Sequence, residues 1–416
     1  MRIGTLPLRR KRAAKASRFL VTGGTGFLGS HIAVALLRAG YRVTILARSS
    51  RRLSARDRVA QIVDWFGLDS ESRGRLDVAE GDILDPGWAA AALGGQAGPG
   101  AIDEIVHCAS NTAFAERKRA EIEAANVGGL KNVLDFAAKS GCCYFHHVST
   151  AYVAGRRTGL CREDWVESGE FTNVYEETKA RGEILAREAC GLHGIRLNVY
   201  RPSIVYGDSR TGRTLRFNAL YFPVKAALMI RDVYLADIRE RGGRKAAELG
   251  IHLTEGGGVF MPIRVETGAE GGINLVPINH CVDVFMATME DCLNGGIFHV
   301  VNPQATKIEE IVGYAIRLFG LDGVETCGTE SFKLRPRNAL ETLYDSYLDV
   351  YRPYMQDLRS FEIENTAPVL ETHGLVCPQL NFDSFARCMN YAVETGWGAR
   401  LFPVERRGSQ TADPAL

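Results

Sequence analysis

Short apolar runs and amphipathic stretches alternate along the first half of the chain. Phe19–Thr22, Arg42–Leu46, Leu76–Glu80, Glu104–Cys108, Cys143–Val148 and Arg196–Tyr200 are brief and rich in Val, Ile and Leu. That is the pattern of parallel strands buried on both faces. Segments with apolar positions at helical spacing lie between most of them, including Ser30–Ala39, Glu121–Lys139 and Val174–Cys190. The alternation predicts an α/β fold, a doubly wound parallel sheet with helices on both sides.

After Gly207 the rhythm breaks. Asp208–Arg216 reads as a polar loop, and Phe217–Ile238 as one or two helices with a broad apolar face, interrupted by Pro223. Gly242–Gly258 is glycine-rich and is expected to be mobile. Leu275–Ile278 and Ile297–Val301 again read as strands, flanking a helix over Cys281–Leu293, and are expected to return to the sheet. Ile308 to about Ala399 reads as largely helical. The expected organisation is a basic, disordered tail (1–17), a dinucleotide-binding part (18–207), a substrate-side insertion (208–274), a return to the sheet (275–303), a smaller, mainly helical C-terminal substrate region (304–405) and a disordered tail (406–416).

Composition narrows the class. The chain has 416 residues, with 50 Lys plus Arg against 49 Asp plus Glu, a balance that gives no global pull toward nucleic acid. The first 18 residues carry seven basic side chains and no acid, with no apolar signal-peptide core behind them. No later stretch is long and apolar enough to span a bilayer. The ten cysteines show neither CxxC nor zinc-type spacing, so core thiols in a reducing compartment, and no metal, are the expectation.

Chemistry enters at Thr22-Gly-Gly-Thr-Gly-Phe-Leu-Gly29, which joins a strand to a helix. Gly23 permits the tight turn, Gly26 lets the backbone approach a pyrophosphate, and Gly29 lets helix and strand pack closely. The helix N-terminus offers free N–H groups to the phosphates. This is the Rossmann-type arrangement, and it places Thr25, Phe27 and Leu28 in the cofactor set with the glycines. The second strand ends without an acid and is followed by Arg48, Arg51 and Arg52. A guanidinium pairs with a 2′-phosphate, which favours NADP(H) over NAD(H). Asp82 and Ile83, after the third strand, are placed to meet adenine, with turn capping the alternative for Asp82.

Tyr175-Glu-Glu-Thr-Lys179 puts a phenol and an amine one helical turn apart. A tyrosine titrates near pH 10, and a neighbouring ammonium is expected to lower that value. Ser149 and Thr150, at the end of the preceding strand, supply a hydroxyl for the substrate oxygen.

Together with Arg201-Pro-Ser-Ile-Val-Tyr-Gly207, these motifs resemble the extended short-chain dehydrogenase/reductases over about Arg18 to Pro303. The resemblance implies a catalytic unit of Tyr175, Lys179 and Thr150, with Ser149 as substitute. It also implies cofactor contacts at Ala109, Ser110, Lys179, Pro202, Ser203 and Ile204, and a supporting role for Asn126. Val148-Ser-Thr-Ala-Tyr-Val153, the Arg-Pro-Ser motif and the Tyr351-Arg-Pro-Tyr354 and Phe361-Glu-Ile-Glu-Asn365 segments look more narrowly like the thioester reductase and fatty acyl-CoA reductase branch. That branch implies NADPH-dependent reduction of an acyl thioester to aldehyde or alcohol. The donor would be free acyl-CoA or a separate acyl carrier protein.

Phe217, Leu220, Tyr221, Phe222, Leu228, Met229 and Ile230 are candidates for an acyl tunnel, against an ordinary buried helix face. Arg210, Arg213 and Arg216 are candidates for the donor's phosphate. Competing readings are a nucleotide-sugar epimerase or dehydratase, a dehydrogenase of a bulky, steroid-like alcohol, and a non-catalytic NADP-binding regulator. A cytoplasmic monomer or homodimer, at most peripheral to a membrane, is the expectation.

Overall fold

In the computed structural model, residues 17–94, 98–268, 270–348, 351–355 and 357–402 are described. Both terminal tails, including the basic side chains before Ser17, lie outside the described residues.

Seven parallel strands form the main sheet: β1 (Arg18–Thr22), β2 (Arg42–Ala47), β3 (Leu76–Glu80), β4 (Glu104–His107), β5 (Tyr144–Val148), β6 (Arg196–Pro202) and β7 (Gly296–Val300). Their order is β7-β6-β5-β4-β1-β2-β3. The direction of winding reverses between β1 and β4, and a ligand crevice opens there at the strand ends. Alternate side chains of each strand enter opposite layers, as the pleat requires. Phe19 and Val21 pack with Ile32, Leu36 and Phe285 on one face, while Leu20 packs with Leu130, Val133 and Phe145 on the other.

Gly23 has φ +71°, and a Cβ there would lie 2.6 Å from the backbone nitrogen of Ala109. A Cβ on Gly29 would meet the Gly23 carbonyl. The turn is therefore closed to larger residues, as the sequence implies.

The substrate side contains more strand than expected. Val259–Thr267 pairs parallel with Leu321–Gly328 and antiparallel with His252–Leu253. Leu321–Gly328 falls in the stretch that reads as helical, because its two glycines and its weak inside-outside alternation hide an edge strand. Gly242–Gly258 contains a short helix, Arg244–Glu248, and one strand of that sheet. Of the two segments expected to return to the main sheet, Gly296–Val300 does so. Leu275–Pro277 pairs with Ile204–Tyr206 outside it. The helix Tyr221–Glu240 accommodates Pro223 in its first turn, where a missing N–H costs nothing. Leu220, Tyr221, Leu228 and Ile230 are packed into a core with Met261, Leu340 and Phe385. The buried-face reading thus holds for these four positions, and Met229 faces solvent.

No described helix is long and apolar enough to cross a membrane. The ten cysteines are free thiols.

Burial holds His31, His280 and His299 down to about 4 and His107 to about 3. These rings stay neutral in the fold, whereas in the unfolded chain they gain protons near 6.5. The unfolded state therefore binds more protons below that value, and stability falls as pH drops from about 6.5 toward 4. The thermal midpoint, followed by circular dichroism, is expected to decrease steadily from pH 7 to pH 4.5; a flat profile would contradict neutral burial.

Candidate active site

The helix Val174–His193 carries Tyr175 and Lys179. Its N-cap is Asn173, whose Oδ1 accepts the Glu176 N–H at 3.1 Å. Tyr175 is half-buried, and the Thr150 side chain lies near enough to its hydroxyl to favour the phenolate. Thr150 Oγ1 also donates to the Pro202 carbonyl at 3.4 Å and accepts the Tyr152 N–H at 3.3 Å. Tyr175 and Thr150 are therefore brought together at the end of β5. Ser149 is adjacent, and its buried Oγ is without a partner among the described residues.

The electrostatics differ from the expectation in one respect. Burial raises the Tyr175 pKa, and the charge of Glu176 raises it further. Lys179, one helical turn further along, is buried. Its Nζ donates to the Val148 carbonyl at 2.5 Å, and burial lowers its pKa to about 8. In this structure the phenol is a weak acid that holds its proton, and the ammonium is directed to the strand end.

The glycine turn opens onto the helix Phe27–Arg38, whose N-cap, Gly26, provides no side-chain hydrogen bond. The first N–H groups are thus available to an anion, and the turn fits a dinucleotide pyrophosphate. Beyond it, Arg48, Ser49, Ser50, Arg58, Glu80, Gly81 and Asp82 line a cleft of about 590 Å³. Arg58 carries no signal in the sequence. The Ser54 capping box starts its helix and sets it one turn in, where it bonds the Thr25 hydroxyl at 3.2 Å and the Arg48 carbonyl at 2.5 Å. Burial and the like charges of Arg48 and Arg216 lower its pKa, as in a cationic cluster that an anion would relieve.

Asp82 makes the turn cap that the sequence offers as an alternative. One oxygen pairs with Arg48 at 3.2 Å and the other accepts the Leu84 N–H at 3.1 Å, so it caps a turn. Ile83 packs toward helix Gly129–Ser140, where a Cβ on Gly129 would strike its Cδ1 at 2.6 Å. The side chain is half-buried there.

Ala109 and Ser110 follow β4 against the glycine turn. Ser110 Oγ donates to Asn126 Oδ1 at 3.1 Å, and the same oxygen accepts the Asn111 N–H at 2.7 Å. Asn126 Nδ2 donates to Thr178 Oγ1 at 3.0 Å. Asn126 sits in a π turn, Ala124–Gly128, inside what reads from sequence as one continuous helix. Such turns widen the backbone locally to aim a side chain. Asn111 and Thr178 complete a network that ties the β4 loop to the Tyr175 helix. Pro202, Ser203 and Ile204 lie at the end of β6; the Ser203 N–H donates to the Val300 carbonyl, and its buried hydroxyl is without a partner among the described residues.

Aromatic side chains stand over Tyr175. Phe114 lies 5.9 Å from it, centroid to centroid, and 6.4 Å from Tyr351, which is 5.7 Å from Phe222. Of the tunnel candidates, Phe222 is the one that joins this wall. Phe217 packs on Tyr221 and Trp397 instead. Arg213 stacks on Trp65 at 4.1 Å, and Arg210 lies 4.0 Å from Asp283.

The profile of an NAD-binding family described as male sterility protein matches residues 21–245. The chain belongs to that family, and with it to the extended short-chain dehydrogenase/reductases. The terminal R domain of the myxalamid biosynthetic pathway superposes with TM-score 0.71 over 93% of both chains at 21% identity. The UDP-glucuronic acid 4-epimerase of Bacillus cereus, solved with NAD, gives TM-score 0.61 over 92% of this chain and 98% of its own at 17% identity. A 3 beta-hydroxysteroid dehydrogenase/Delta 5-->4-isomerase of Mycobacterium tuberculosis is 28% identical over 56% of this chain and 55% of that protein. A linear gramicidin synthase polypeptide of Brevibacillus parabrevis is 23% identical over 91% of this chain and 7% of its own. The chain spans about half the length of the first of these sequence relatives and a small fraction of the second.

Proposed function

We propose that the protein is an NADPH-dependent reductase of acyl thioesters, with Tyr175 as proton donor. The observation that carries this reading is the pair of hydroxyls, Tyr175 and Thr150, close together at the strand ends of a dinucleotide fold and beside an aromatic wall. Two donors on one side of a crevice suit an oxygen that gains negative charge. A reduced nicotinamide, when bound, supplies the hydride. Tyr175 protonates the carbonyl oxygen while Thr150 donates a hydrogen bond to it. The resulting hemithioacetal loses its thiol and leaves an aldehyde. Protonated Lys179 fixes the end of β5 and offers a positive charge beside the reacting groups. The motif resemblance to the thioester reductase branch favours a thioester, and the alignment with the linear gramicidin synthase runs over 91% of the chain.

The steroid dehydrogenase relative and the apolar wall support a second reading, a dehydrogenase of a bulky alcohol. NADPH oxidation that depends on octanoyl-CoA supports the first; oxidation of a sterol with no response to octanoyl-CoA supports the second.

The cationic cluster supports NADPH over NADH, although Glu80 and Asp82 share the cleft. Arg58→Ala is expected to weaken NADPH binding by about 10- to 150-fold and NADH binding by less than about twofold, since a charge-assisted bond contributes about 1.5–3 kcal/mol. Fluorescence titration with both nucleotides checks it; equal losses would reject phosphate recognition at Arg58.

A further inference from the structure

We propose that Glu176 and Tyr354 form a positioning pair that holds Tyr175 in its reactive orientation, making the C-terminal segment part of the reaction apparatus. The inference rests on the reading of Tyr175 as proton donor.

Glu176 directly follows Tyr175, so on the helix it points about 100° away. It is fully buried there, an expensive place for a carboxylate unless it is hydrogen-bonded. Tyr354 donates its hydroxyl hydrogen to Glu176 Oε1 at 2.6 Å, and the Thr172 N–H donates to Oε2 at 2.9 Å. Asn173 Nδ2 donates to the Tyr354 oxygen at 2.6 Å, while Asn173 Oδ1 accepts the Glu176 N–H. The result is a closed ring of bonds around the first turn of the helix, the turn that carries Tyr175.

The same tyrosine reaches the site through its ring. It lies 5.7 Å from Phe114, which packs on Tyr175, and 4.9 Å edge-on to Tyr152. The Tyr152 N–H bonds Thr150. Tyr354 thus touches the supports of both hydroxyls. Its own segment is anchored by a buried Arg359–Asp357 pair at 2.7 Å, by Arg359 donating to the Gly155 carbonyl at 2.6 Å, and by Arg359–Phe361 pairing with Gly159–Cys161. The groups facing Glu176 are Tyr175, Tyr354, Tyr152 and, at longer range, Arg359 with Asp357. The Glu176 charge opposes ionisation of Tyr175, which keeps the phenol protonated for donation.

The full chain, NADPH and octanoyl-CoA test this, with kcat expressed per bound NADPH. Glu176→Gln keeps an acceptor for Tyr354 but removes the charge. Its kcat is expected to fall by about tenfold with NADPH affinity unchanged, because an amide N–H then faces the Thr172 N–H where a carboxylate oxygen accepted it. Tyr354→Phe is expected to lower kcat by about tenfold with NADPH affinity unchanged, as small misplacements of a reacting group do. A wild-type kcat in both variants, with only the thermal midpoint reduced, would overturn the proposal. Tyr175→Phe assayed alongside separates the causes. If it stays active, the proton-donor reading fails and the pair falls with it; if it is inactive while the other two match wild type, the pair alone is refuted.

Discussion

Tyr175→Phe is expected to lower kcat by about 10²- to 10⁴-fold, the range for removal of a general acid, while NADPH affinity stays within about twofold. The substitution deletes one hydroxyl and leaves the ring. The contact with Phe114 at 5.9 Å, the helix cap and the buried Glu176 network survive, so the fold is not at stake. What disappears is the proton that the carbonyl oxygen must receive, with the hydroxyl that stands beside Thr150. Because the groove for the dinucleotide is built from the glycine turn and the β2–β3 end, binding is expected to be indifferent to this change. Stopped-flow reduction and equilibrium fluorescence report the two quantities separately. A loss of affinity equal to the loss of kcat would mean that the phenol holds the nucleotide rather than moves a proton.

The second large effect is on stability. Arg201 lies just before Pro202 on β6, and its guanidinium grips Glu183 with two bonds of 2.9 and 2.6 Å. Their side chains are 1% and 2% exposed. Arg201 also donates to the Asp164 carbonyl at 2.9 Å. Since Glu183 lies on the Tyr175 helix, this pair fixes the distance between that helix and the strand end bearing Ser203. Arg201→Met leaves a buried carboxylate unpaired and is expected to cost about 3–5 kcal/mol. Replacing Glu183 by Leu in the same chain removes the stranded charge and is expected to restore a large part of that loss. Urea unfolding of the single and double variants checks it; strict additivity would show that the two side chains do not depend on each other.

The sheet was legible because strands buried on both faces write short, continuous apolar runs, and the order of the motifs followed the order of the strands. Phe19, Leu20 and Val21 announce a strand whichever layer each side chain enters. The C-terminal strand Leu321–Gly328 was hidden, because an edge strand that is half exposed and carries two glycines obeys neither the helical nor the strand period. At the site, Tyr175, Lys179 and Thr150 could be named because a turn of helix and a strand end are local geometry. The relation between them could not. Spacing puts an amine near a phenol, but only the fold shows that Lys179 turns to the Val148 carbonyl while Glu176 acts on the ring. Arg58 and Tyr354 were out of reach for the same reason. Arg58 meets Thr25 across 33 positions and Tyr354 meets Glu176 across 178, and although Tyr354 belongs to a recognisable motif, nothing local names its partner.

The most direct measurement follows the hydride. The protein is incubated with NADPH labelled with deuterium at the transferable C4 position and with octanoyl-CoA, and the organic product is analysed by mass spectrometry. Octanal carrying one deuterium at C1, formed by the native chain and not by Tyr175→Phe, is the predicted result. Consumption of NADPH without labelled aldehyde or alcohol, or equal labelling by both proteins, would contradict the account.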